Sequence, residues 1–167
     1  WAKRGAIVTG VDFAPEAVDE ARTLSSASGI RARFIESNVY DLPNVLKKDR
    51  FDIVFTSYGT ICWLPDLRKW AKVIARFLKP GGIFYIADGH PLAGVLVSSD
   101  LGRNSLRVAR RYFDRTPVTY STGNGTYANP NARHPKGRNW EWKHTMEDIV
   151  MSLRSAGLAI ESLREFP

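Results

Sequence analysis

Apolar and polar positions along the chain alternate between a strand period and a helix period. Residues 6–11 (AIVTGV) form a short, mostly apolar run with β-branched members that leads into Asp12, a pattern that predicts a buried strand. Pro15 suits the first turn of a helix, and Ala17, Val18, Ala21 and Leu24 follow at helical spacing until 25–29 ends it. Residues 31–37 alternate around Ala32, Phe34 and Glu36 and predict a second strand. Asp41-Leu42-Pro43 signals a turn, and Phe51–Thr56 (FDIVFT) predicts a third strand. Over 65–78, Leu67, Trp70, Ala71, Ile74, Phe77 and Leu78 recur at three- and four-residue steps, one continuous apolar face of a helix. Lys79-Pro80-Gly81-Gly82 stops that helix, and 83–87 predict a fourth strand.

Beyond His90 the regularity fades. Gly102, Pro117, Gly123, Gly125, Pro130, Pro135 and Gly137 mark 90–143 as a loop-rich insert, with a helix expected near 105–112 and a strand near 118–122. Thr145 then opens a helix, and Asp148 three residues on makes a near capping box. Met146, Ile149, Val150 and Leu153 form its apolar face, and Gly157 ends it. Residues 158–163 predict a fifth strand.

Strands alternating with helices imply βαβ units, so the expected fold is α/β: a doubly wound, mainly parallel sheet with helices on both faces. A single domain of 1–167 is expected, with a core over 1–89, the insert over 90–143 and a last helix and strand over 144–167. Ligands in such sheets bind beyond the carboxyl ends of the strands. That rule singles out 12–13, 37–40, 56–63 and 88–91.

Composition narrows this picture modestly. A hydrophobic share of 44% and a charged share of 25% are those of a soluble globular protein. No apolar run approaches the roughly 20 residues that cross a bilayer, so no membrane is expected. The lone cysteine, Cys62, excludes a disulfide framework and a Cys-rich metal site, and reads as a small core residue in a reducing cytoplasm. The net charge of +7 is uneven: nine Lys/Arg against three acids within 90–143 leave +6 there. Two readings stand, a solvated basic face or a surface that attracts an acidic substrate or nucleic acid.

Asp12 is the best chemical clue. A carboxylate that ends a strand just before a helix can accept hydrogen bonds from both hydroxyls of a ribose, because two oxygens match a vicinal diol. Its other reading is an acid that satisfies local backbone donors. In dinucleotide folds this acid lies about 20 residues after a glycine-rich turn, and counting back from Asp12 runs past Trp1.

Four segments together resemble class I S-adenosylmethionine-dependent methyltransferases: VTGVDFAPEAVDEAR (8–22), FIESNVYDLP (34–43), FDIVFTSYGTICWLPD (51–66) and FLKPGGIFYIAD (77–88), in the family's order. Residues 145–164 resemble it more weakly. The resemblance implies S-adenosylmethionine as cofactor, with Asp12 on its ribose hydroxyls and Phe13 packed on the adenine, or else in the core. Asn38, where the family often has Asp, and Val39 would hold the adenine edge. Thr56, Ser57 and Tyr58 would lie near the methionine part and the reacting methyl. Ile61 and Trp63 would either wall the cofactor or belong to the core. It further implies a first strand and glycine loop before Trp1 and a last antiparallel strand after 158–163. The chain is then expected to be a fragment with impaired donor binding, whose open sheet edge invites a partner chain, a second copy among them.

Methyl transfer is an in-line displacement with a neutral leaving group, so the protein mainly aligns a nucleophile and excludes water. A general base is needed only for a protonated acceptor. Candidates are Tyr58, His90 and His144, the last following the Trp140–Lys143 cluster that could line a substrate pocket. Arg110–Phe113 reads as a lid or as an amphipathic surface helix. A small-molecule acceptor is expected, without excluding nucleic acid. The rival functions are a nicotinamide-dependent oxidoreductase, for which no Tyr-x-x-x-Lys set is visible, and a non-catalytic module that binds a polyanion through 90–143.

Overall fold

Helix α3 (Leu67–Phe77) is the centre of packing. Asp66 caps it by accepting the Lys69 N–H at 2.9 Å. Its apolar stripe buries Leu67, Trp70, Ala71, Val73, Ile74 and Phe77. Two clusters grow on that stripe: Ile61, Leu64, Trp70, Ile74, Leu78 and Leu153 on one side, and Leu42, Leu46, Val73 and Phe77 on the other. The computed structural model describes residues 1–46, 50–56, 58–98, 106–121, 131 and 137–166.

 β1 (Thr9–Asp12) and β2 (Arg33–Glu36) form one parallel pair, and β3 (Phe51–Thr56) and β4 (Leu78–Ile86) form the other. Val54, Phe84 and Ile86 turn toward α3, and the Trp70 ring meets Phe84 edge-on at a centroid distance of 5.5 Å. The alternation of the strands puts Ile53, Phe55, Ile83 and Tyr85 on the opposite face, where all four are exposed.

The sequence around 79–82 behaves differently from expectation. The helix ends at Phe77 and β4 begins at Leu78, so the Lys-Pro-Gly-Gly run lies inside a bulged strand whose register shifts between Phe51 and Ile53. Gly81 sits at φ +76°, and a Cβ on Gly82 would lie 2.9 Å from the Lys79 carbonyl oxygen and 3.0 Å from that of Asp52. Only glycine admits that turn and that approach. Lys79 fastens the bulge by an ion pair to Asp52 at 2.8 Å.

Helix α1 (Pro15–Ser28) joins β1 to β2 and ends on Gly29 in the left-handed region. Of its predicted apolar face only Val18 is fully buried, and Leu24 is exposed. The first strand starts at Thr9, later than the apolar run suggests, because its only ladder partner begins at Arg33. A one-turn helix α2 (Leu42–Val45) occupies the expected turn. Among the described residues β1 pairs only with β2, and β3 only with β4. The two halves are joined by side chains instead: Ile35, Val39 and Val54 pack on the second cluster, and the Tyr40 hydroxyl donates to the Asp66 carbonyl at 3.2 Å while accepting the Asp66 N–H at 3.0 Å.

The insert corrects one expectation. Leu106–Val108 is not helical; it is strand β6, antiparallel to β5 (Leu96–Ser98). Leu106, Arg107 and Val108 alternate at the strand period, and their pairing with β5 overrides the helical spacing read across 105–112. β7 (Val118–Ser121) lies where a strand was expected and pairs antiparallel with β8 (Arg138–Glu141), whose polar sequence gave no strand signal. Helix α4 (Met146–Ser155) carries the full capping box. Thr145 Oγ1 accepts the Asp148 N–H at 3.2 Å, and Asp148 Oδ2 accepts the Thr145 N–H at 2.7 Å. Residues 158–163 join no ladder among the described residues, so the predicted fifth strand is absent there; the alternation is present but no neighbouring edge receives it.

Candidate functional site

The carboxyl ends of β1 and β2 are tied together, the Ser37 N–H donating to the Asp12 carbonyl at 2.8 Å. Asp12 is exposed, and its Oδ1 accepts the Ala14 N–H at 2.9 Å. That bond orients the carboxylate and leaves Oδ2 without a partner among the described residues. Both readings of Asp12, local cap and ligand acceptor, are therefore compatible in one side chain. Phe13 beside it is 73% exposed, which removes core packing as its role. Asn38 Oδ1 accepts the Tyr40 N–H at 3.0 Å. That bond uses one of the two lone pairs of the amide oxygen, so among the described residues Asn38 keeps both an acceptor site and its amide nitrogen. Val39 is half-buried between the two core clusters.

The ends of β3 and β4 form the other side. Thr56 is buried at the last position of β3. Ser57 lies outside the described residues. Tyr58 is 77% exposed in a turn that Gly59 makes possible at φ +72°. Asp88 organises this turn, a role the sequence did not suggest. Its Oδ2 accepts the N–H groups of Thr60 and Ile61 at 2.9 and 3.1 Å, and its Oδ1 accepts that of Gly89 at 2.7 Å. An acid following a strand, three residues before a proline-led turn, is visible in the sequence; its reach to 60–61 is not. Ile61 is buried in the first core cluster, so its side chain forms floor rather than wall, while Trp63 is partly exposed.

The two histidines are held by structure. His90 Nδ1 accepts the Leu92 N–H at 3.1 Å and Nε2 donates to Glu165 Oε1 at 2.6 Å. Both ring nitrogens are engaged by local partners. His144 Nε2 donates to the Leu64 carbonyl at 2.8 Å, pinning the start of α4 to the turn after β3. Burial, with Glu141 and Asp88 nearby, pushes the Cys62 thiol up to about 11, which keeps it in the less nucleophilic thiol form.

His144 carries a pH prediction. Burial lowers its pKa below the ordinary value, opposed in part by the Leu64 carbonyl. Between the lowered and the ordinary value the unfolded chain binds more protons than the folded one, so stability rises with pH through that interval. The thermal midpoint is expected to fall on acidification below about pH 6.5, and His144→Gln is expected to flatten that part of the profile. Circular-dichroism melts at stepped pH check it. The Asp148 carboxyl, raised by burial but held lower on balance by bonds from Thr145 and Arg115, loses its contribution only at more acidic pH.

The parallel βαβ halves, the bulged glycine turn and the ligand-ready carboxyl edge define a Rossmann-like fold of the methyltransferase type. A family model described as a methyltransferase domain matches residues 1–86, just over half of the chain, and the chain belongs to that family. A demethylmenaquinone methyltransferase of Thermus thermophilus is 33% identical over 87 residues, covering 52% of this chain and 38% of that protein. A ubiquinone biosynthesis O-methyltransferase of Coxiella burnetii is 32% identical over 88 residues, covering 52% and 36%. The solved structure of an S-adenosylmethionine-dependent methyltransferase from Clostridium acetobutylicum shares the fold, with a TM-score of 0.68 at 18% identity, over 94% of this chain and 66% of that one. The chain spans between 25% and 40% of the length of the curated relatives it matches.

Proposed function

We propose that this chain forms the donor-binding part of an enzyme that transfers a methyl group from S-adenosylmethionine to a small molecule. The observation that carries the reading is the placement of Asp12, Phe13 and Asn38 together at the carboxyl ends of the β1–β2 pair. Asp12 Oδ2 would accept from the ribose hydroxyls, the exposed Phe13 ring would give the adenine a flat apolar face, and Asn38 would hold the adenine edge. The donor supplies an activated methyl on a positively charged sulfur. Val39 and Ile61 support this edge from the core, and Asp88 fixes the turn that carries Tyr58. Of the three acid–base candidates, Tyr58 is the one whose surroundings leave it accessible; His90 and His144 act as positioning residues.

A small-molecule acceptor is supported by the quinone-pathway names of the relatives. No described helix is long and apolar enough to cross a membrane. A cytoplasmic setting agrees with the single thiol. The edges of β1 and β3 that have no partner among the described residues support association with another chain.

Calorimetric titration of the full chain with S-adenosylhomocysteine tests the reading. Saturable 1:1 binding is expected, weak, with a dissociation constant on the order of 100 μM or above, and none with NAD. Binding of NAD with no binding of the nucleoside would overturn it.

A further inference from the structure

Past the end of β4, the 3-10 turn Pro91–Gly94 leads into a hollow of about 1010 Å³ in the insert. Its floor is apolar: Val95 is buried there, and the Ala109 N–H donates to the Val95 carbonyl at 2.9 Å. Val108, 70% exposed, and Phe113, 75% exposed, line it together with Tyr112, whose ring meets Phe113 edge-on at 5.0 Å. Exposed apolar side chains gathered in one hollow are costly unless something covers them.

Charge in the hollow is unbalanced in a specific way. Asp114 is bonded to the Thr116 N–H and to Lys143 at 3.1 Å, which bring its carboxyl down to about 2, so its charge is already answered. Arg115 pairs with Asp148. Arg110 and Arg111 also line the hollow, both exposed, and make no side-chain bond among the described residues. The segment is also anchored through Tyr112, whose hydroxyl accepts the Met146 N–H at 2.8 Å, on the first turn of α4. Two unanswered guanidinium forks beside an aromatic pair and an aliphatic floor match one ligand chemistry, an anionic head on an apolar body.

We propose that this hollow binds a small amphipathic anion, a carboxylate or phosphate ester with a flat apolar body. The inference stands apart from the donor reading above. Nucleic acid fits less well, because its backbone needs a track of cations, whereas here two lie against an apolar surface.

The test uses 2-naphthoate and the uncharged 2-naphthamide as probes on the full chain, with S-adenosylhomocysteine titrated separately. Naphthoate is expected to bind about tenfold tighter than naphthamide. The double variant Arg110→Gln/Arg111→Gln is expected to abolish that difference by weakening naphthoate about tenfold, and Phe113→Ala to weaken both probes. All three substituted positions are exposed, and unchanged melting curves establish that the variants fold. Equal affinity for the two probes, or naphthoate binding indifferent to the arginine pair, overturns the proposal. So does displacement of naphthoate by oligothymidylate with steep salt dependence, which would make the hollow part of a polyanion surface. Loss of S-adenosylhomocysteine binding with arginine-dependent naphthoate binding intact would sink the donor reading and leave the anion site standing.

Discussion

Asp12→Ala is expected to weaken S-adenosylhomocysteine binding roughly 30- to 100-fold, the effect of losing about 2–3 kcal/mol of charge-assisted hydrogen bonding. The side chain is exposed and belongs to neither core cluster, so the fold should survive. Its only local bond is to the Ala14 N–H, and losing that alone costs on the order of 1 kcal/mol. Asp12→Asn separates the two roles. An amide oxygen still accepts from Ala14, but the negative charge is gone, so donor affinity should fall while the melting temperature holds. Calorimetry and thermal melts on both variants read the two quantities independently. Unchanged affinity in the asparagine variant would reduce Asp12 to a local cap.

The largest effect on stability is expected at Trp70. The ring is 2% exposed, on the α3 stripe, edge-on to Phe84. Truncation to alanine should cost about 3–5 kcal/mol from lost transfer energy and the cavity left behind. A domain of ordinary stability holds only about 5–15 kcal/mol in all, so Trp70→Ala should be barely folded at room temperature. Trp70→Phe keeps an aromatic face toward Phe84 and should recover a large share of the loss. Urea titration followed by circular dichroism measures both; a midpoint shift in Trp70→Ala equal to that of an exposed-site variant would show that α3 is not the centre of packing.

The elements were legible where one period dominates. The α3 stripe, the FDIVFT strand and the Thr145–Asp148 cap could be read directly, since each is a local pattern with a local cause. Leu106–Val108 was misread because arginines and apolar residues at mixed spacing suit either period, and only the β5 partner decides. Residues 158–163 show the converse: alternation makes a segment fit for a sheet but cannot supply an edge. β8 was invisible because Arg138, Asn139 and Glu141 carry no apolar signal; its pairing with β7 is wholly tertiary. In the site, Asp12, Phe13 and Asn38 could be found from strand ends. What sequence could not show was which hydrogen bonds are already made: Asn38 Oδ1 accepts the Tyr40 N–H, and both nitrogens of His90 have partners. The reach of Asp88 could not be read because its partners at 60–61 are distant in sequence.

Burial is shared unequally between the two parallel pairs. The β3–β4 half owns α3, α4 and most of the core, whereas α1 buries only Val18 and reaches the rest through a few contacts around Val39 and the Tyr40–Asp66 link. Amide exchange should therefore be fast in β1, β2 and α1 and slow in β3 and α3, the first group opening without global unfolding. Asp12, Phe13 and Asn38 all ride on the half that opens. Only the closed fraction can take up a nucleoside, so apparent affinity scales with that fraction, and a bound nucleoside slows exchange across the whole half, far beyond the residues it touches.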